Sequence, residues 1–296
     1  MAHYADASAD SRLILRDAAE TLSVTFYSGE TATDADGAVT IGIVDAAGAT
    51  VVAAGTSTTS AGSGVYTYSL AAQSNLKELT ATWSGTWTTA MSFDTAHEVV
   101  GNFYTTPAEV RALDSLSGES ATFTAADVVE GITYATSIID DFCGASFVQR
   151  YQRDVLNGTN NQTITVRRMF PQTLLAASID GTALTSAEIA DVALFENGQM
   201  TRKDAIWAFA QPGHLVAIEY EHCVGSTAPS DIRWAAKTLA RYHILEQRSR
   251  IPDRAISVSS EFGNIMLAQP SMARPTPLPD CNVVLQRHRH RAPVAF

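Results

Sequence analysis

Residues 124–144 read TAADVVEGITYATSIIDDFCG, and this stretch decides the character of the C-terminal two-thirds of the chain. Val128, Ile132, Ala135, Ile139 and Phe142 recur at steps of four and three, which puts them on one face of a helix. Thr124-Ala125-Ala126-Asp127 is a start signal, and Gly144 is a stop, because glycine readily takes the left-handed conformation that ends a helix.

Upstream, Thr106-Pro107-Ala108-Glu109 opens a shorter helix over 107–114. Thr caps, Pro fits the first helical position and Glu sits three residues after Thr. Downstream, residues 229–249 (PSDIRWAAKTLARYHILEQRS) form the clearest helix of the chain. Its start lies at Ser230 or the preceding Pro, and Pro252 ends it. Ile232, Ala235, Ala236, Leu239 and His243 line one side, while Arg233, Lys237 and Arg241 line another at four-residue steps.

Between these helices, residues 148–222 are mainly extended: VQRYQRDVLNG, QTITVRRMF, LAASIDGTAL and HLVAIEYEHC read as strands, with turns at Asn157-Gly158 and Asp180-Gly181. After the last long helix the chain becomes a proline-rich arm carrying Pro270, Pro275, Pro277 and Pro279, stiff and poor at forming a core. A short helix over DCNVVLQRHRH follows. Residues 20–95 differ from all of this. ETLSVTFYSG, AVTIGIVDAAG, TVVAAGTS, GVYTYSL and LTATWSGTW are short strand-like runs separated by Gly, Asp and Ser clusters, the pattern of a small β-sandwich. The organisation is thus α+β: an arm over 1–19, a sandwich over 20–98, a helical core over 100–252 with a β-insertion at about 148–222, and a C-terminal arm over 253–296.

Composition narrows the function. Hydrophobic residues make up 46% and charged ones 17%, which suits packed cores. No run of apolar residues is long enough to cross a membrane, and the N-terminus lacks the basic and apolar regions of a signal peptide, so assembly in a cytoplasm is expected. Cys143, Cys223 and Cys281 are far apart and odd in number, which argues for buried thiols over a disulfide framework or zinc site. The net charge of −11 is uneven: residues 1–100 carry three cations against eleven acids, whereas the end of the chain carries Arg287, Arg289 and Arg291. An acidic chain is a poor general binder of nucleic acid, whose affinity comes from cationic contacts to phosphates.

No nucleotide-binding, nucleophile-elbow or zinc-protease motif is present. Asp140 and Asp141 adjoin on a helix and therefore point about 100° apart, not at one substrate atom. Glu219, Glu221, His222 and Cys223 are metal-ligand types on a strand, and His243 lies on an apolar helix side; both read more simply as structural, and no cofactor is expected. Trp83 and Trp87, four apart on a strand, would share a face, which keeps open a secreted or surface sandwich that stacks sugars or binds a protein ligand. The most unusual local feature is Arg287-His288-Arg289-His290-Arg291, next to Val284 and Leu285. A guanidinium fork suits ion pairs with an acidic partner. Asp127, Glu130, Asp140 and Asp141 give the first long helix an acidic side that matches the Arg233–Lys237–Arg241 stripe of another copy.

Residues 100–290 resemble the head-to-tail adaptor family of long-tailed double-stranded DNA phages. The likeness lies in the order EVVGNFYTTPAEVRALD, TAADVVEGITYATSIIDDFCG, an insertion with RRMFPQTLLAASIDGTAL and GHLVAIEYEHC, APSDIRWAAKTLARYHIL, and the ending SSEFGNIMLAQPSMARPTPLPDCNVVLQRHR. Residues 20–95, above all GSGVYTYSLAAQSNLKELTATWSGTW, look like the immunoglobulin-like modules of phage structural proteins. The resemblance implies a non-enzymatic virion protein of the neck: a helical-bundle adaptor forming a ring, typically of twelve subunits, beneath the portal protein. Such a ring extends the DNA channel without reading sequence and docks a downstream stopper or tail-terminator protein. It further implies that the C-terminal segment engages the portal.

Overall fold

A computed structural model describes residues 3–7, 12–87, 89–113, 116–118, 122–208, 213–247, 257–260, 263–266 and 275–290. The chain is mixed α+β, with most elements in sheets and a few helices, and it divides into two compact units. One comprises Met1–Asn102, Gln149–Arg167 and Pro171–His222; the other comprises Phe103–Val148, Arg168–Phe170 and Cys223–Phe296.

In the first unit, alternation writes two sheets that share one core. Glu20–Ser28 pairs with His3–Ala7 on one side and Val65–Leu70 on the other, and Thr59–Gly62 follows at the edge. The second sheet runs Leu13–Leu15, Thr89–Val100, Lys77–Trp87, Thr40–Asp45, Thr50–Ser57; its only parallel pairing among the described strands is the first. Leu22, Val24 and Phe26 from one sheet meet Ile41, Ile43, Leu79, Ala81 and Trp83 from the other. Gly64 (φ +76) passes the first sheet so closely that a Cβ there would lie 2.6 Å from both Phe26 O and Thr33 N, which only glycine tolerates. Thr89–Val100 is absent from the strands read in the sequence, although it is the longest of the sandwich.

The sandwich core also takes in Tyr151, from the segment read as an insertion. That segment forms a sheet ordered Arg150–Asn157, Leu215–His222, Pro171–Ile179, Thr182–Ala183, and a smaller one ordered Thr163–Thr165, Gln199–Arg202, Val192–Leu194. Asp180 and Gly181 both have positive φ (52° and 80°) and close the hairpin expected there. Trp207, Met200, Ile218 and Tyr220 are fully buried in a core of their own.

The second unit is built from helices α1 (Pro107–Arg111), α2 (Ala125–Cys143), α4 (Ser230–Glu246) and α5 (Pro279–Arg287); a short α3 (Ser186–Ala190) belongs to the first unit. The caps read in the sequence are present. Thr106 with Glu109, and Thr124 with Asp127, each form a reciprocal capping box, and Gly144 ends α2 at φ 70°. The α2 stripe packs Val128, Ile132, Ala135 and Ile139 against Ile232, Ala235, Ala236, Leu239 and Ile244 of α4. The two helices run antiparallel, since Glu130 near the start of α2 meets His243 and Gln247 at the end of α4. At Gly131 they touch: a Cβ there would lie 2.8 Å from Ile244 Cγ1 and 2.9 Å from Ala240 O.

Candidate functional site

With no catalytic motif in the sequence, the candidate sites are the two charged features, the C-terminal basic run and the helical stripes. Structurally, the first is a folded appendix of the helical core. Thr276 and Asn282 brace the turn before α5: Asn282 Oδ1 accepts from Thr276 N (3.1 Å) and Oγ1 (3.0 Å), and Asn282 Nδ2 donates to Thr276 O (2.7 Å). Cys281 and Leu285 then enter the same core as α2 and α4. Leu285 therefore presents no surface to a partner in this conformation, and Val284 is half-buried. The basic residues beyond them separate. His288 Nε2 lies 2.8 Å and Arg287 Nη1 3.6 Å from Asp231 in the first turn of α4. Arg289 stacks its guanidinium 4.9 Å from the Phe142 ring centroid. His290 N donates to Cys143 O at the end of α2 (2.8 Å), and its ring meets Phe170 edge-on. Arg291 lies outside the described residues.

These contacts set the local electrostatics. Burial alone would raise the Asp231 carboxyl, but the His288 hydrogen bond and charge, with a backbone N–H, hold it below its ordinary value. Burial pushes the Cys143 thiol up to about 12 and the Cys281 thiol up to about 11. At the base of the core, Tyr104 donates to Asp140 and accepts from Phe147 N (2.8 Å), tying the end of α2 to the loop that follows. Burial first, then the Asp140 charge, raises the Tyr104 hydroxyl well above its usual range.

The helical stripes are partly engaged within the chain. Arg233 pairs with Glu109 of α1 at 2.8 Å, and Lys237 also acts on that carboxylate. The Thr106 backbone bond chiefly, with Thr105, Arg233 and Lys237, holds Glu109 below its ordinary value. On α2, Asp127 is a cap, Asp140 serves Tyr104 and Glu130 faces the end of α4; Asp141 is exposed. Arg241 lies half-buried along α4. His243 stacks on Tyr134 with ring centroids 4.0 Å apart, at the margin of the apolar side and not within it.

Two features escaped the sequence reading. Trp234 of α4 is 42% exposed and Val283 of α5 is 58% exposed. A helical wheel holds the signal for the first: Trp234 lies off the Ile232–Ala235–Leu239 side, beside Arg233 and Lys237.

One expectation needs correction. Trp83 and Trp87 do share a face, but it is the inner one: Trp83 is fully buried and its indole reaches Thr95 (3.2 Å), while Trp87 packs on Phe26 with centroids 4.2 Å apart. Neither is available to stack on a sugar. Glu219 and Glu221 are matched by Arg153 (3.5 Å) and Arg16 (3.7 Å), and no group of three acidic, His or Cys side chains suited to a metal occurs among the described residues. No helix among them is long and apolar enough to cross a membrane.

Capped helices around one core, beside sheets that make up most of the elements, define the class as mixed α+β. The family model of the head completion protein matches residues 105–252, half of the chain. The chain belongs to that family, a structural one of the virion neck. The head-to-tail resemblance read from residues 100–290 is thereby borne out. No curated protein matches. Among solved structures, a chain in "Neck of empty GTA particle computed with C6 symmetry" is 16% identical, with a TM-score of 0.42 over 65% of this chain and 93% of that one. A chain in "Neck of native GTA particle computed with C12 symmetry" is 16% identical (TM-score 0.40; 62% and 95% covered). One in "Virion of native gene transfer agent (GTA) particle" is likewise 16% identical (TM-score 0.41; 66% and 97%).

Proposed function

We propose that this protein is the adaptor subunit that joins a portal to the tail side of the neck, as a homo-oligomeric ring, of twelve copies on the family pattern, that lengthens the DNA channel. The observation that carries the reading is the family match over residues 105–252, which takes in the helices α1, α2 and α4. In this reading the α1–α2–α4–α5 core is a helical bundle, the partners are the portal and a downstream stopper or tail-terminator protein, and DNA passes through without sequence-specific contact. The sandwich of residues 20–98 is an immunoglobulin-like module, and its acidity suits a position away from DNA.

The portal-facing element is the basic end of α5. With Leu285 and Cys281 committed to the core, the groups left to meet an acidic partner are Arg287, whose side chain is 65% exposed, and Arg289, with Arg291 beyond. Deleting residues 281–296 would also strip the core, so charge reversal is the cleaner test. Arg287→Glu with Arg289→Glu should fold normally yet abolish addition of the adaptor to DNA-filled heads. Normal head–tail joining by that variant would refute the portal contact.

A further inference from the structure

We propose that Asp231 restrains the portal contact, holding Arg287 and His288 against the subunit's own helical core until a carboxylate of the partner takes Arg287 from it. The inference rests on the portal reading above and names the residue that regulates that site. Asp231 lies in the first turn of α4, where the helix N-terminus favours a carboxylate. Its Oδ1 accepts from Ile232 N at 2.9 Å. Its Oδ2 is shared between His288 Nε2 at 2.8 Å and Arg287 Nη1 at 3.6 Å. His288 holds the closer position, its ring edge against Phe147. The Arg287 approach is an ion pair too long for a hydrogen bond, on a side chain that is 65% exposed. A guanidinium is bound best by a carboxylate that offers it both oxygens in one plane. Asp231 has neither oxygen to spare for that geometry. A carboxylate arriving from outside, with both oxygens free, is the stronger site for Arg287, and Asp231 is a placeholder that it must displace.

Displacement would leave α5 where it is. Cys281 and Leu285 remain in the core with α2 and α4, and Asn282 still braces the turn at Thr276. His290 N keeps its bond to Cys143 O, and Arg289 its seat on Phe142. The exchange is confined to the side chains at the end of a fixed helix. Asp231 therefore subtracts from the affinity of the free subunit for an acidic partner without being needed for the fold of α5.

The test measures binding of the full chain to purified portal rings. Asp231→Asn should tighten binding about two- to fivefold, the range that loss of one exposed ion pair allows. Asn keeps an oxygen for Ile232 N. Asp280→Asn, an exposed acid at the other end of α5, makes the same change in net charge and should leave binding unaltered. In an Arg287→Ala background, Asp231→Asn should lose its effect, because it acts through Arg287. Any general loosening of α5 by Asp231→Asn would appear in both backgrounds, so the comparison stays readable. If Asp231→Asn binds no tighter than wild type, or Asp280→Asn tightens binding equally, or the gain persists without Arg287, the restraint is refuted. The portal reading stands in those cases so long as Arg287→Glu with Arg289→Glu abolishes binding. If that reversed variant binds as wild type does, the portal reading falls and the restraint with it.

Discussion

Gly131→Ala should destabilise the helical unit, although glycine-to-alanine changes inside helices ordinarily stabilise. Two terms oppose. Alanine's better helix propensity favours the variant by about 1 kcal/mol. Against it stands the close approach of α2 to α4: the new Cβ would sit 2.9 Å from Ala240 O and 2.8 Å from Ile244 Cγ1. Ile244 could change rotamer, but the Ala240 carbonyl is helix backbone, so the helices must part by a few tenths of an ångström along their whole shared stripe. Overpacking of that kind costs about 1–3 kcal/mol. The net expectation is a loss of roughly 0–2 kcal/mol, in place of the usual gain. Amide hydrogen exchange along α2 and α4 isolates this unit from the sandwich, and each 1.4 kcal/mol appears as about tenfold faster exchange. Ser137→Ala, exposed on the same helix, is the control and should slow exchange slightly. If Gly131→Ala slowed exchange as the control does, the close packing of α2 on α4 would be refuted.

Other outcomes follow from the same core. Leu285→Ala should cost about 2–5 kcal/mol, and since a nine-residue helix is marginal alone, residues 279–290 should lose exchange protection before α2 and α4 do. The raised thiols of Cys143 and Cys281 make stability fall at alkaline pH. Unfolded thiols ionise near about pH 8.5, so the stabilisation is complete below that value and is lost progressively above it, readable in melts from pH 7 to 10. Asp231 acts at the other end. Its depressed carboxyl contributes stability above the ordinary carboxylate range that is lost as pH falls through its folded value, and Asp231→Asn should remove that acid-side loosening of α5.

The helical unit was legible because its signals are local. Thr106, Thr124 and Gly144 act within a turn, and the α2 stripe needs only its own period. The strand Thr89–Val100 was missed because it follows Lys77–Trp87 after a single residue, with no Gly or Asn marking the turn. Tyr151 joining the sandwich core, and α5 folding onto α2 and α4, depend on contacts between residues more than thirty positions apart, and no pattern along the chain records them. The proline-rich approach suggested an arm unable to fold alone; the burial of Cys281 and Leu285 shows that its last part folds on its own chain. Charge led to Arg287 and Arg233, but their intrachain partners Asp231 and Glu109 were visible only in three dimensions.

The adaptor-ring account is tested most directly by the mass of the complex formed when the purified full chain is added to portal rings. The account predicts a closed ring of chain copies on each portal, twelve for a twelve-fold portal, and its loss with Arg287→Glu, Arg289→Glu. A portal that binds no copies, or binds them singly without filling a ring, would contradict it.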